Sequence, residues 1–167
     1  VKTVHNGIEY ADMQMLAEIY SLLRFGAGWT PSDVGALLSE WDKGPLKSYL
    51  VEITAKVLAH DDPATGQPMV DVIKDAAGQK GTGRWTVVEA VRVGQAANMI
   101  EAAVGARSWA SGKATRQAVE DRFGAARGKL DLDADISAKT LPETLAGAMM
   151  AARILGCAQG FRILAAA

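Results

Sequence analysis

A chain of 167 residues, 49% of them hydrophobic, is long enough to bury about 70% of the surface that its unfolded form exposes, so we predict a single domain over residues 1–167. The net charge of −1 gives no reason to expect nucleic acid or an anionic membrane surface as a partner. The one cysteine, Cys157, excludes an internal disulfide and fits a cytoplasmic protein, and the interrupted apolar stretches predict neither a membrane span nor a signal peptide.

Apolar residues recur at three- and four-residue steps along most of the chain, and no run alternates at period two. We therefore predict an all-α fold. The predicted helices cover residues 1–24, 31 to about 43, 46–60, 70–76, 85–93, 97–110, 115–126 and 140–164. Thr30 precedes Pro31 and Asp33, a pattern typical of a helix N-terminus. An acidic loop is expected over residues 130–138.

For two of the helices, the sequence predicts which side chains are buried. In the third, the apolar residues expected to point inward are Leu50, Ile53, Val57 and Leu58. The last helix is apolar around nearly its whole circumference, through Leu145, Met149, Ile154, Leu155, Phe161 and Leu164. Such a helix is expected to be a buried central element.

The first helix carries several polar and titratable side chains on one side. At about 100° per residue, Lys2, Asn6 and Glu9 fall within about 40° of one another, and His5 and Tyr10 border the same stripe. An ammonium, an imidazole, a carboxamide, a carboxylate and a phenol exceed what a solvated helix face requires. Because glycine costs roughly 1 kcal/mol in a helix interior, Gly7 predicts that another group approaches the backbone there.

The loop Gly78–Gly83 contains three glycines, Lys80 and Thr82. Closely spaced glycines allow backbone N–H groups to turn toward an anion, and the following helix N-terminus adds a favourable dipole. A flexible connector is the alternative interpretation. The loop is not a Walker A motif, because a Gly-Lys-Ser/Thr sequence at the required spacing is absent.

Other patterns do not support a metal or nucleic-acid site. His60 beside Asp61 and Asp62 fits an ordinary solvated helix end. The acidic repeat in residues 131–135 imitates the start of a calcium loop, but Ile136 replaces the required glycine and Pro142 the bidentate glutamate. An aromatic content of 6% offers no stacking platform for bases. No metal is therefore predicted.

Several motifs together resemble the helical domain of 6-phosphogluconate dehydrogenases. The stretches that carry the resemblance are Lys2–Gln14, Glu40–Gly44, Tyr49–Thr54, Ala77–Thr86, Ala106–Arg107 and Ala158–Phe161. The resemblance implies a substrate, 6-phosphogluconate, that is oxidised with NADP and decarboxylated to ribulose 5-phosphate. It also implies a homodimer.

The resemblance implies a role for each candidate residue. Lys2 would be the base and then the acid for the 3-hydroxyl, and Glu9 would protonate C1 of the enediol. The substrate-binding residues it implies are His5, Asn6, Tyr10, Lys80, Thr82 and Arg107. Of these, His5 and Asn6 would hold hydroxyls, and the other four would hold the phosphate.

The family's NADP is held mainly by a Rossmann domain, and no Gly-x-Gly-x-x-Gly fingerprint occurs in these residues. We therefore expect the isolated chain, as an excised part of the enzyme, to be inactive. Two alternatives remain open. A 3-hydroxyacid dehydrogenase relative would act on a small acid without phosphate, and a helical assembly module would retain the motifs without catalysis.

Overall fold

The computed structural model describes residues 1–125 and 140–167, and its regular structure there is helical. The helices are α1 (Lys2–Ser21), α2 (Pro31–Trp41), α3 (Tyr49–Leu58), α4 (Met69–Val72), α5 (Thr82–Arg92), α6 (Asn98–Ser111), α7 (Lys113–Phe123) and α8 (Leu141–Ala166), with a π-helical turn at Leu22–Gly26. Strand-type pairing in this range is limited to an isolated bridge between Asp61 and Pro68. The all-α prediction is confirmed. None of the helices described is both long and apolar enough to cross a membrane.

The start of α2 was correctly predicted because its signal is local. The Thr30 hydroxyl accepts a hydrogen bond from the Asp33 N–H at 3.1 Å, and the Asp33 carboxylate accepts one from the Thr30 N–H at 3.2 Å. This reciprocal pair is a capping box, and Pro31 occupies the first helical position, where no intrahelical donor is needed.

Other helix boundaries differ from the predicted ones by up to four residues. Helix α3 begins at Tyr49 rather than Leu46, because the Ser48 hydroxyl accepts the Val51 N–H at 3.2 Å and caps the helix there. Helix α5 begins at Thr82 rather than Trp85, so Thr82 and Gly83 belong to its first turn. The short α4 covers Met69–Val72 instead of residues 70–76.

The chain divides into two compact units. The first unit comprises residues 1–15, 75–125 and 151–167, and the second comprises residues 16–74 together with the described residues 140–150. The core of the first unit is formed by Val4, Ala90, Ala97, Ile100 and Ile163. The core of the second unit is formed by Leu16, Ile19, Leu23, Val34, Leu38, Leu46, Val51, Ala55, Leu58, Leu141, Leu145 and Met149.

The predicted inward face of α3 is wrong by part of a turn. Val51, Ala55 and Leu58 are buried, whereas Ile53 and Val57 are exposed. Gly35 of α2 explains the difference, because a Cβ at that position would lie 3.1 Å from the Ala55 carbonyl oxygen and 3.2 Å from the Leu58 Cβ. The two helices therefore approach along the face that carries Ala55.

Helix α8 is also less buried than predicted. Leu145 and Met149 are buried, but Ile154, Leu155 and Phe161 are 60%, 56% and 66% exposed, so the expectation of a buried central element is wrong for these three. The last part of α8 instead buries two small residues, Gly156 and Gly160, together with Ile163.

Candidate functional site

Helix α1 presents three different faces within the first unit. At about 100° per residue, Thr3, Gly7 and Tyr10 share one face, and Val4, Ile8 and Ala11 share the next. The third face carries the polar stripe, which we define as Lys2, His5, Asn6 and Glu9. The first two faces pack against α5 and α8.

The apolar face of α1 packs closely against α8. A Cβ at Gly160 would lie 2.5 Å from the Ile8 Cδ1 and 3.2 Å from the Val4 Cγ1, so a larger residue there would require the Ile8 side chain to shift. At the edge of this contact the Arg153 guanidinium donates to both carboxylate oxygens of Asp12, with Nη2 2.9 Å from Oδ2. Both side chains are largely buried, and a bidentate pair of this type fixes geometry as well as charge.

The glycine face of α1 packs against α5. A Cβ at Gly7 would lie 2.7–2.9 Å from three atoms of the Thr86 side chain, which is fully buried. The prediction that a group approaches the backbone at Gly7 is therefore confirmed, and the group is a threonine side chain. The Thr86 hydroxyl lies 2.7 Å from the Thr3 carbonyl oxygen and 3.1 Å from the Thr82 carbonyl oxygen.

Tyr10 lies between α5 and α6. A Cβ at Gly83 would lie 2.9–3.0 Å from three atoms of the Tyr10 ring, so the ring rests directly on the α5 backbone. The Arg107 guanidinium carbon lies 5.2 Å from the centroid of the same ring, within cation–π range. Arg107 also donates to the Gly78 carbonyl at 3.3 Å and contacts the Met13 sulfur at 3.4 Å.

The glycine-rich loop ends at the N-terminus of α5. Gly81 has φ +97°, a left-handed conformation that L side chains rarely adopt, and it is the N-cap of the helix. No side chain caps this end. The first backbone N–H groups of a helix have no intrahelical acceptor, so those of the α5 first turn remain available to an anion. Lys80 is exposed one residue before Gly81.

The polar stripe is partly connected by its own contacts. The His5 Nδ1 lies 3.5 Å from the Glu9 Oε2 and 3.4 Å from the Asn6 Oδ1. These separations are at or beyond the long limit of a hydrogen bond, and both His5 and Glu9 are substantially exposed. The stripe is therefore accessible, with its side chains weakly held and free to reorganise around a ligand.

The structure brings some of the predicted residues together and leaves others separate. Tyr10 and Arg107 are in direct contact, and Arg107 reaches the loop that carries Lys80 and Thr82. Across residues 1–125 and 140–167, the Lys80 ammonium makes no hydrogen bond or ion pair. Lys2 is exposed at the first position of α1.

Sequence reasoning assigned no role to Thr86, although it lies within the recognised stretch Ala77–Thr86. Its principal acceptor is a backbone carbonyl 83 residues away, and a backbone acceptor leaves no signal in the sequence. The sequence shows a glycine within one predicted helix and a threonine within another. Their contact can be recognised only from the packing of α1 against α5.

Among the residues described, no group of three or more His, Cys, Asp or Glu side chains is arranged to hold a metal ion. The acidic repeat at residues 131–135 lies outside the described residues. The remaining geometry is a glycine-rich loop that ends at an uncapped helix N-terminus, together with a polar stripe on α1.

Comparisons with known proteins identify the family to which the chain is similar. The profile of the 6-phosphogluconate dehydrogenase C-terminal domain matches residues 1–167. A decarboxylating 6-phosphogluconate dehydrogenase of Synechococcus elongatus is 44% identical over all of this chain and 35% of its own length. An NAD(+)-dependent decarboxylating 6-phosphogluconate dehydrogenase of Bacillus subtilis is 42% identical over 96% of this chain and 34% of its own length.

A solved structure shows the same fold. The Plasmodium falciparum 6-phosphogluconate dehydrogenase, described in its apo form and in complex with its cofactor NADP+ and its substrate 6-phosphogluconate, has a TM-score of 0.88 and 35% identity. The match covers 98% of this chain and 34% of that one. The chain thus spans about a third of the length of these relatives, and it belongs to the 6-phosphogluconate dehydrogenase family.

Proposed function

We propose that this chain provides the substrate-binding and proton-transferring helices of a decarboxylating 6-phosphogluconate dehydrogenase, which converts 6-phosphogluconate to ribulose 5-phosphate and CO2. The observation that carries the proposal is the contact of Tyr10 and Arg107 with each other and with the Gly78–Gly83 loop, beside the polar stripe of α1. The family relationship supports the reaction class.

The phosphate of the substrate binds at the loop. Lys80 and Arg107 supply positive charge, and Thr82 and Tyr10 supply hydroxyl donors. The guanidinium of Arg107 has five N–H donors, and its contacts with Gly78 and Met13 use two of them, so three remain for phosphate oxygens. The uncapped first turn of α5 adds backbone donors to the same anion.

The reacting carbons lie along the polar stripe. Lys2, as a neutral amine, takes the proton of the 3-hydroxyl, and the resulting ammonium donates a hydrogen bond to the 3-keto oxygen while CO2 leaves. Glu9, in its protonated form, then delivers a proton to C1 of the enediol. His5 and Asn6 hold substrate hydroxyls, and orientation of this type contributes several kcal/mol to catalysis.

The oxidation step requires a nicotinamide cofactor, and the described residues do not fit one. They contain no β-strand apart from the isolated bridge and no dinucleotide fingerprint. We therefore assign to these residues only substrate binding and proton transfer, and we propose that NADP is held elsewhere. The NAD(+)-dependent B. subtilis relative shows that the family includes both cofactor preferences.

A ligand titration followed by NMR tests the proposal on the 167-residue chain. We expect 6-phosphogluconate to bind with a Kd of about 1 mM, or roughly −4 kcal/mol. Gluconate, which lacks the phosphate, should not bind detectably. Lys80→Ala and Arg107→Ala should each abolish this preference, because charge-assisted bonds to phosphate contribute about 1.5–3 kcal/mol each.

Two control variants define the specificity of that result. Glu9→Gln should leave the preference for the phosphorylated sugar nearly unchanged, because Glu9 contacts the opposite end of the substrate. Lys47→Ala removes one exposed lysine of the second unit and should have no effect. Equal affinity for 6-phosphogluconate and gluconate would show that Tyr10, Lys80, Thr82 and Arg107 do not form a phosphate site.

The same titration addresses the other interpretations of the sequence. A 3-hydroxyacid dehydrogenase relative needs no phosphate ligands, and the comparisons do not favour it. A purely structural assembly module would show no shifts at Lys80 and Arg107.

We further propose that the protein is a cytoplasmic homodimer. Ile154, Leu155 and Phe161 leave apolar surface exposed on α8, and uncovered apolar surface favours association. Light scattering should give at least twice the mass of one chain, and Phe161→Ser with Leu155→Ser should lower it. A clean monomer at high concentration would contradict the proposal.

A further inference from the structure

Thr86 is in contact with both halves of the proposed site. Its hydroxyl lies 2.7 Å from the carbonyl oxygen of Thr3, the residue after Lys2, and 3.1 Å from the carbonyl oxygen of Thr82 in the phosphate loop. A hydroxyl has one proton, so it donates to one carbonyl at a time, and the shorter distance favours Thr3. The residue is fully buried, so water does not compete for the bond.

Packing reinforces this contact. The β-carbon, methyl and hydroxyl of Thr86 all lie within 2.9 Å of the position that a Cβ on Gly7 would occupy. Helix α1 cannot move closer to α5 without a clash, and it cannot move away without losing the bond to Thr3. Rotation of α1 is restricted in the same way, because Thr3 and Gly7 lie on one face.

We propose that Thr86 is a positioning residue that sets the spacing between the reacting end of the substrate, at Lys2 and Glu9, and its phosphate end, at Lys80 and Thr82. The inference rests on the proposed function. A ligand held at both ends is recognised by its length, so Thr86 determines the preference for a six-carbon phosphorylated acid over shorter ones. Small displacements of either end are costly because productive orientation tolerates little error.

The first measurement needs no ligand. In the unsubstituted chain and in Thr86→Val and Thr86→Ser, the ¹³C shifts of the Thr3 and Thr82 carbonyls report their hydrogen bonds. Thr86→Val keeps the shape but removes the hydroxyl, so the shift of the Thr3 carbonyl, the favoured acceptor, should change more than that of the Thr82 carbonyl. Thr86→Ser keeps the hydroxyl and should restore them. Unchanged shifts in Thr86→Val would overturn the inference.

The second measurement compares three ligands by NMR titration: 6-phosphogluconate, its homologue 5-phosphoarabinonate, which is one carbon shorter, and inorganic phosphate. Thr86→Val should weaken 6-phosphogluconate binding by about three- to tenfold, the equivalent of one hydrogen bond, and reduce its advantage over the shorter homologue. Inorganic phosphate contacts only one end, so its affinity should not change.

Matched variants separate positioning from a general loss of structure. The Thr54 hydroxyl donates to the Leu50 carbonyl at 2.6 Å in the second unit, so Thr54→Val removes a comparable helical hydrogen bond. It should leave all three affinities unchanged, and Thr86→Ser should retain the length preference.

Three outcomes of the titrations would also overturn the inference: unchanged 6-phosphogluconate binding in Thr86→Val, an equal loss in Thr86→Ser, or a parallel loss of inorganic phosphate binding. Failure of the unsubstituted chain to bind 6-phosphogluconate would instead refute the proposed function. The carbonyl shifts would then still decide whether Thr86 bridges the two elements.

Discussion

The two units of the chain differ in the balance between large buried side chains and close contacts at glycine. The described part of the second unit closes around twelve buried hydrophobic residues, most of them large, such as Leu23, Leu38 and Met149. The first unit has a smaller buried cluster, and around α1 it has close contacts at Gly7, Gly83 and Gly160, whereas the described part of the second unit has one comparable contact, at Gly35. Large side chains stabilise by burial and can repack around small changes, whereas backbone contacts at glycine leave no space for adjustment.

This difference matches the functions proposed for the two regions. Positions that bind a substrate need to be fixed to a fraction of an ångström, and backbone contact through glycine achieves that better than side-chain packing. None of the candidate site residues lies in the second unit, so we expect that unit mainly to contribute stability. Stability and geometry should therefore respond differently to substitution in the two units.

The largest effect is expected from Leu38→Ala in the second unit. Leu38 is almost fully buried, so the substitution should lower the free energy of unfolding by about 3 kcal/mol through lost transfer energy and the cavity left behind. Denaturant unfolding measures this loss. Leu22→Ala, at an exposed leucine of the same unit, should cost less than about 0.5 kcal/mol. Similar losses for the two variants would contradict the role assigned to this core.

An intermediate effect is expected from Gly7→Ala in the first unit. The new methyl would overlap with Thr86, at a cost of about 1–3 kcal/mol, and alanine's better helix propensity offsets about 1 kcal/mol of that. Thermal and denaturant unfolding should show the net loss, and 6-phosphogluconate binding should weaken as well.

Gly105→Ala provides the matched control for Gly7→Ala. Gly105 lies within α6 with nothing near the position of a Cβ, so alanine should stabilise the protein by roughly 0.5–1 kcal/mol. In the double variant Gly7→Ala with Thr86→Ala, part of the loss at Gly7 should be recovered, because the clash is relieved. Strict additivity of the two substitutions would show that the contact does not matter.

The smallest effect concerns acid stability of the second unit. Hydrogen bonds from the Thr30 hydroxyl and backbone N–H lower the pKa of Asp33. A pKa that is lower in the folded state contributes stability above the unfolded value of about 3.9, and that contribution disappears as the pH falls through the folded pKa.

Asp33→Asn removes this titration, so the stability of the variant should depend less on pH in the acid range than that of the unsubstituted chain. Unfolding measured between pH 7 and pH 2 checks the difference. Ser32→Ala, at the neighbouring exposed position, should keep the original dependence. Superimposable pH profiles for Asp33→Asn and the unsubstituted chain would refute the prediction.

Local signals in the sequence predicted much of this fold. The capping box at Thr30 and Asp33 was readable because its partners lie three residues apart. The prediction of a close approach at Gly7 was also correct, since a glycine in a helix interior lowers helix stability and therefore requires an explanation.

Long-range packing explains what the sequence did not reveal. The inward face of α8 depends on Gly160 meeting Ile8, so counting large apolar residues pointed to the wrong face. The orientation of α3 depends in the same way on Gly35. Within the site, the stripe on α1 followed from helical spacing, but the contact of Tyr10 with Arg107 required knowledge of how α1 and α6 pack.

The long-range contacts that hold α1 in place affect when this helix can become fixed during synthesis. Thr3 and Thr86 are separated by 83 residues, and Asp12 and Arg153 by 141. At about 5–20 residues per second, the ribosome needs roughly 7–30 s to make the residues between Asp12 and Arg153. Because α8 is made last of the helices described here, the apolar face of α1 stays uncovered during that time. Among the helices described here, the one that carries Lys2 and Glu9 is thus synthesised first, and its contact with α8 forms only after α8 has been made.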